Sequence, residues 1–432
     1  MHIGFIHNQL LNAEGVGSTH SASRLVSELA NSGNKVTAYC PMSSGDQREP
    51  STLNLRNEIE VILFNKKRIS SAVPHRLLAP IGKGLEERKL EFEKYDILHS
   101  YPSPIPWLEK ISRNISTPVI TTLNGYNPVC PKKDLFYKGS EPCRENSITR
   151  CAECILSSTA YPEKSDVFDG ASVYDKYGGI KRLPAKSYLL TKRFRALRTV
   201  MDTKESMNGI DGYHVQADHL TDIFAEFGFP ESRFHTVPNI LDENFLVPHR
   251  SDFSEPYQLL YVGSLIKKKG VQKLPPMLEL LRDEYDADYE LTIVGSGYLQ
   301  EPLEAAIEER GLNATVAGRI PYGELPEVYA NHDVFVYPGI WEEPFARVFL
   351  EALASGTPIV GSSVGDLGEI VGAAGVVTDG SSEALAEAVH QMRGDDLSTM
   401  STKAKERAER YLPSEVVPQL EKMYKKTIAG AE

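Results

Sequence analysis

The sequence predicts an α/β fold made of two consecutive, doubly wound domains. Two observations carry that expectation. Short apolar runs alternate with helix-like stretches through the first half, the βαβ rhythm of a parallel sheet covered by helices. After an interruption the same rhythm starts afresh in the second half, and 432 residues suffice for two or three domains.

The first strand is expected at 3–6, followed by the loop Gly15-Val16-Gly17. A helix over 21–32 carries Leu25 and Leu29 at i, i+4 spacing and stops at Gly33, before a strand at 36–39. Strands at 61–64, 97–99 and 119–122 follow, with helices between them. From about 127 to 200 the rhythm breaks, which reads as an insertion and then a long helix. Strands at 213–215 and 234–237 complete the first domain. A linker near 242–257 leads to the second, with strands at 259–262, 289–294, 314–317, 334–337 and 357–360. Helices are expected at 271–285, 299–310, 325–330, around Glu351, at 384–393 and at 413–428.

Composition narrows the function classes. Lys and Arg number 47 against 59 Asp and Glu, a formal charge of −12, which argues against nucleic acid as a bulk partner. No run approaches the roughly 18 consecutive apolar residues of a membrane span. MHIGFIHN at the start is too short and polar for a secretory leader and reads as a strand, so a cytoplasmic location is expected.

The densest chemistry lies in residues 335–361, FVYPGIWEEPFARVFLEALASGTPIVG. Glu343 and Glu351 are eight residues apart; on one helix they would differ by about 80° and share no face. Glu343 is therefore placed in the loop before the helix, and Glu351 on its first or second turn. Both then reach a cleft at the carboxyl end of a parallel strand. Free amides around Phe345, Ala346, Arg347 and Val348 suit a phosphate there. Carboxylates for hydroxyls and amides for phosphate describe a nucleotide-sugar site. Taken singly, each glutamate also fits a surface charge near a helix N-terminus.

Residues 259–270, LLYVGSLIKKKG, read as a buried strand, the turn at Gly263, and three lysines. Lys267, Lys268 or Lys269 can neutralise a departing diphosphate or form a solvated basic turn. LTIVGSGY at 291–298 is a second glycine turn, for which close strand–helix packing is the plainer reading.

The block from Glu343 to Glu351 resembles the E-x7-E region of retaining glycosyltransferases of family four, and the resemblance runs across most of the chain. It implies the GT-B architecture, two Rossmann-like domains facing a central cleft: an acceptor-side domain at 1–245, a nucleotide-sugar domain at 246–412, and a helix at 413–432 that crosses back. By resemblance Glu351 holds ribose hydroxyls, Glu343 approaches the donor sugar, and Lys269 is the lysine that precedes a glycine. Ser264 stands where the family has arginine, so the charged bidentate donor is absent. Ala346 stands where glycine is usual. Arg319, in the loop after the next strand, stacks on the base or lies in solvent.

In the first domain, Gly17 retains the second of the family's paired glycines, with amides that face a phosphate or form a plain βα loop. Asn124, in TTLNGY, occupies the place of a histidine that contacts the donor sugar. It keeps hydrogen-bonding capacity without a titratable proton. His99 fits the family's D-x-x-H strand end, where a structural role is commoner. Cys130, Cys143, Cys151 and Cys154 are spaced C-x12-C-x7-C-x2-C in an insertion over about 127–165. Some family members carry a similar insertion. The spacing suits a structural zinc, with free thiols or redox-active disulfides as the alternatives. From Lys181 to Arg198 seven residues are basic, which fits a membrane-surface helix or a core helix with a solvated face.

The expectation is thus a retaining transferase with no catalytic cofactor, using a UDP-, GDP- or ADP-sugar and a glycan or lipid-linked acceptor, with peripheral membrane contact and no nucleic acid. The alternative is a catalytically degenerate nucleotide-sugar-binding protein, which Ser264 and Asn124 favour. A nicotinamide-linked dehydrogenase lacks its G-x-G-x-x-G fingerprint after the first strand.

Overall fold

The computed structural model describes residues 1–7, 17–42, 59–65, 89–101, 104–139, 141–160, 182–250, 253–285 and 287–431. Gly15, Val16, Lys181 and the insertion beyond 160 lie outside them.

The first part of the chain runs β1 (His2–His7), α1 (Ser18–Asn31), β2 (Lys35–Met42), β3 (Ile59–Asn65), β4 (Ile97–Tyr101), α2 (Ile105–Ser112) and β5 (Val119–Thr122). The insertion follows as a small antiparallel pair, β6 (Phe136–Tyr137) and β7 (Glu141–Pro142), then α3 (Ile148–Ala160) and α4 (Arg182–Ser206). β8 (Gly212–Val215), α5 (Asp218–Glu226) and β9 (Phe234–Thr236) return to the sheet. Its order is β3-β2-β1-β4-β5-β8-β9, parallel throughout. Every residue of β4 and β5 is buried, as expected for central strands covered on both faces.

The second part comprises β10 (Tyr257–Val262), α6 (Leu274–Glu284), β11 (Tyr289–Val294), α7 (Gln300–Arg310), β12 (Ala314–Gly318), α8 (Leu325–Ala330) and β13 (Val334–Tyr337). It continues with α9 (Arg347–Ala354), β14 (Ile359–Ser362), α10 (Leu367–Val371), β15 (Gly375–Thr378), α11 (Ser382–Gln391), α12 (Asp395–Ala408) and α13 (Pro413–Ala431). The parallel sheet order is β12-β11-β10-β13-β14-β15. Three of these elements, α10, β15 and α12, were not expected from the sequence. The expected helix at 271–285 opens with a 3-10 turn over Val271–Lys273, and its α-helical part starts at Leu274 beside Pro275.

Apolar side chains fill both faces of each sheet. α13 does not pack on the sheet that precedes it in sequence. Its Val416, Val417, Leu420, Met423 and Tyr424 are buried with Ile3, Phe5, Leu25, Val36 and Ile120 of the first sheet. Among the described residues no helix is long and apolar enough to cross a membrane.

Strand order reverses between β1 and β4 in the first sheet and between β10 and β13 in the second. Such switch points open crevices at strand carboxyl ends, and that is where open parallel sheets take ligands.

Candidate active site

A cavity of about 330 Å³ lies where the two switch points face each other, within the size range of small-molecule sites. Gly17, at the start of α1, borders it from the first domain, as does Asn124 just after β5. Opposite them stand Gly263 and Ser264 after β10, and Lys269 and Glu343. Phe345, Ala346, Arg347 and Val348, which open α9, complete that wall.

Backbone close approach sets the second-domain wall. Gly270 has φ +72°, and a Cβ there would lie 1.7 Å from the Pro338 carbonyl oxygen, so only glycine fits. That approach packs the lysine turn on the loop after β13, where the Ile340 amide donates to the Lys268 carbonyl at 3.2 Å. Lys269 is thereby carried to Glu343, and the two form an ion pair. The Tyr337 hydroxyl donates to the same carboxylate oxygen at 2.9 Å and accepts from Lys269 at 3.3 Å. Burial, then the neighbouring Glu343, pushes the Tyr337 phenol well above its ordinary range, so it stays a donor.

Glu343 lies in the loop and Glu351 on the second turn of α9, but Glu351 is not on the cavity wall. It is 4% exposed and accepts from the Tyr329 hydroxyl at 3.2 Å. Burial raises its pKa, and the Arg347 charge opposes that rise. Arg347 borders the cavity, and its charge reaches this carboxylate. Its guanidinium is 5.6 Å from the Tyr322 ring centroid, and its buried Nη1 has no hydrogen-bond partner among the described residues. Ala346, at the N-cap of α9, supplies no side-chain acceptor, so the first amides of the helix keep their capacity for an anion.

Two expected donor contacts lie elsewhere. Arg319 is exposed and donates to Ser296 at 2.7 Å, and Lys268 sits 4.4 Å above the Trp341 ring. Lys269 lies 5.8 Å from the same ring centroid, and of the two lysines it is the one that borders the cavity.

Trp341 crosses between domains. It is 9% exposed and packs within the core of the first domain, edge-to-face with Tyr126 at 5.7 Å. Its indole N–H donates to the Asp134 carbonyl at 2.9 Å, inside the cysteine-rich insertion. The Tyr126 hydroxyl donates to the Glu342 carbonyl at 3.0 Å, and Arg144 lies 3.4 Å from the Glu342 carboxylate. The insertion thus holds the two residues that immediately precede Glu343.

Cys130, Cys143, Cys151 and Cys154 all line one small cavity of about 20 Å³. Four thiols are a donor set that zinc accepts. Yet among the described residues no three His, Cys, Asp or Glu side chains are placed together as metal ligands. Instead Cys154 accepts the Lys138 amide at 3.1 Å, and Cys143 donates to the Glu145 carbonyl at 3.2 Å. Burial, then Asp134, pushes the Cys130 thiol up to about 12.

His99 is structural. The His214 Nε2–H donates to the Val237 carbonyl at 2.8 Å, so its Nδ1 accepts from Thr122 at 2.9 Å. Thr122 accepts from His99 Nε2 at 2.7 Å, leaving His99 Nδ1 to accept from Tyr424 of α13 at 2.8 Å. This buried chain of donors runs in one direction and needs both rings neutral.

Sequence reasoning did not find Tyr101, Gln216 and Asn239, which line the cavity from the first domain. The available signal was position: each ends or closely follows a strand, Tyr101 on β4, Gln216 after β8 and Asn239 after β9.

Residues 247–411 match the family model of glycosyl transferases group 1. A glycosyltransferase of Methanocaldococcus jannaschii is 37% identical over 115 residues, 26% of this chain and 29% of that protein. The O-antigen chain mannosyltransferase B of Escherichia coli is 29% identical over 171 residues, 37% of this chain and 45% of its own length. The chain thus spans less than half the length of these curated relatives. Anabaena HepE, solved with UDP, aligns over 99% of this chain and 100% of its own, with TM-score 0.64 and 17% identity. It has also been solved with UDP-glucose. The likeness to HepE shows a GT-B fold, and the second domain of that fold is the part that matches the group 1 glycosyl transferase model.

Proposed function

We propose that this protein transfers a sugar from a nucleotide-sugar donor to a glycan or lipid-linked acceptor, with retention at the anomeric carbon. The observation that carries this reading is the Lys269–Glu343 pair beside the open N-terminus of α9, across the cleft from Asn124. Lys269 and the amides of Arg347 and Val348 would take up the negative charge of the leaving diphosphate, the main demand of such a transfer. Glu351 would exchange its tyrosine partner for ribose hydroxyls as Arg347 moves aside. Glu343, released from the lysine, would meet the donor sugar, and the cleft would exclude water. No protein nucleophile is assigned, and attack on the face vacated by the diphosphate accounts for retention. UDP and UDP-glucose bound to HepE support a nucleotide-sugar donor, and the O-antigen mannosyltransferase supports a glycan product.

Contact with an anionic membrane surface belongs to the same proposal. Tyr188, 65% exposed, shares the outer side of α4 with Lys192 and Arg198.

The test is a thermal-shift and hydrolysis panel of UDP-, GDP- and ADP-sugars on the wild type and Glu351→Ala. Stabilisation by one donor, lost in the variant and joined by slow sugar release, is expected. Equal donor affinity in both proteins would remove Glu351 from the site. Binding without release, even with acceptor present, would favour a degenerate nucleotide-sugar-binding protein.

A further inference from the structure

Arg347 and Glu351 stand four residues apart in α9, so they share one face of that helix, Arg347 on the first turn and Glu351 on the second. The cavity reaches only the first of them: Arg347 borders it and Glu351 does not. A ligand entering there therefore meets the guanidinium before the carboxylate.

The two cations of this wall are not equivalent. Lys269 is already paired with Glu343, whereas the buried Nη1 of Arg347 has no hydrogen-bond partner among the described residues. The Arg347 charge is felt by Glu351 and Tyr329 on one side, and by Tyr101 of the opposite wall on the other. Asp242, a second carboxylate near Glu351, has its own cation in Arg24 at 3.1 Å. Arg347 thus balances Glu351 through its field, while one of its nitrogens still lacks an acceptor. A diphosphate offers such a group more than the carboxylate does. It carries more charge, and its oxygens match the planar fork two at a time. The uncapped amides of α9 lie at the same helix end and favour the anion there.

We propose that Arg347 is a gate on Glu351: it balances the carboxylate in the free protein and leaves it for the diphosphate of an incoming nucleotide, so that the ribose is accepted only once the diphosphate has engaged. The inference rests on the sugar-transfer reading above and adds a regulation to its donor site. Moving the guanidinium removes the charge that favoured the Glu351 carboxylate, and ribose hydroxyls take its place as hydrogen-bond donors. The two halves of a nucleoside diphosphate then bind with positive coupling, although they touch different side chains. A bare nucleoside meets the closed state, and its apparent affinity falls by the fraction of molecules that are closed.

The coupling is measured by supplying the two halves as separate molecules. Uridine, guanosine and adenosine are titrated onto the full chain by saturation-transfer NMR, with and without inorganic pyrophosphate. Saturating pyrophosphate is expected to tighten at least one nucleoside about tenfold, a coupling of about 1.4 kcal/mol. The analogue of that nucleoside lacking both ribose hydroxyls should gain nothing. Arg347→Gln should bind the nucleoside alone at least as tightly as the wild type does, and show no gain with pyrophosphate. Arg347→Lys, which keeps the charge without the fork, should retain part of the gain, and Glu351→Gln should abolish it. Melting temperatures are expected to stay near the wild-type value. Nucleoside affinity that ignores pyrophosphate, no nucleoside binding in either condition, or a gain that survives in Arg347→Gln would each overturn the gate. Sugar release from a nucleotide-sugar in a protein without the coupling would leave the transfer reading intact and remove the gate alone. Coupled binding without sugar release from any nucleotide-sugar would keep the gate and defeat the transfer reading.

Discussion

Replacing Trp341 by alanine separates the anchoring of the loop before α9 from the chemistry proposed for it. The indole belongs to the second domain, but the first domain buries it. An aromatic side chain of this size hides about 150–250 Å², and at about 25 cal/mol/Å² this corresponds to roughly 4–6 kcal/mol. Measured aromatic truncations in cores cost about 3–5 kcal/mol, so the lower half of that range is the working figure. The bond to Asp134 and the edge-to-face contact with Tyr126 are part of that total. Because the contact joins two domains, the loss falls on their coupling and leaves each sheet intact. Urea unfolding is expected to change from one transition to two, with the second-domain transition near the wild-type midpoint. Trp341→Phe keeps most of the burial and loses one hydrogen bond, so it should cost only about 1 kcal/mol. The only other tryptophan is Trp107. In a Trp107→Phe background Trp341 should emit as a shielded indole, and partial urea should expose it to acrylamide before the sheets melt. A single wild-type transition for Trp341→Ala, with no change in midpoint, would refute this account.

Acid should act through the buried histidines. Burial lowers His214 to about 4 and sets His99 well below its ordinary value. The unfolded chain therefore takes up protons first, at about pH 6.5, and stability present above that pH is lost on descending towards 4. For His214 alone this amounts to about 3 kcal/mol, read as the fall in urea midpoint between pH 7 and 4. His214→Gln should flatten that fall, and an unchanged slope would remove the histidine from it. The cysteines give a third expectation. Cys143 is the least buried of the four in the insertion, so iodoacetamide should label it first and Cys130 last. Uniform protection of all four, released by a chelator, would instead reveal a bound metal.

Local patterning made much of the fold readable. Leu25 and Leu29 face the core from α1, as their spacing required, and the apolar runs at 259–262 and 334–337 became neighbouring central strands. Geometry also placed Glu343 in a loop, since eight helical steps do not bring two carboxylates to one face. What the sequence concealed depends on distant contacts. Trp341 reads as a loop aromatic until the insertion closes over it. Gln216 and Tyr101 are separated by 115 positions and meet only through strand order. Burial of Glu351 follows from Tyr329 and Arg347 closing around it, a packing outcome with no periodic signature.

The route of α13 has a consequence for how the chain acquires its structure. Tyr424 supplies the first donor of the buried histidine chain, and Val416, Leu420 and Met423 cover the face of the first sheet that holds Ile3 and Phe5. On a ribosome the first domain emerges early, yet that face stays uncovered until the second domain has been synthesised. Its nascent core must wait through some two hundred residues of translation, at about 5–20 residues per second. The protein therefore matures from both ends inward, and chaperone capture is expected to favour the exposed face of the first sheet.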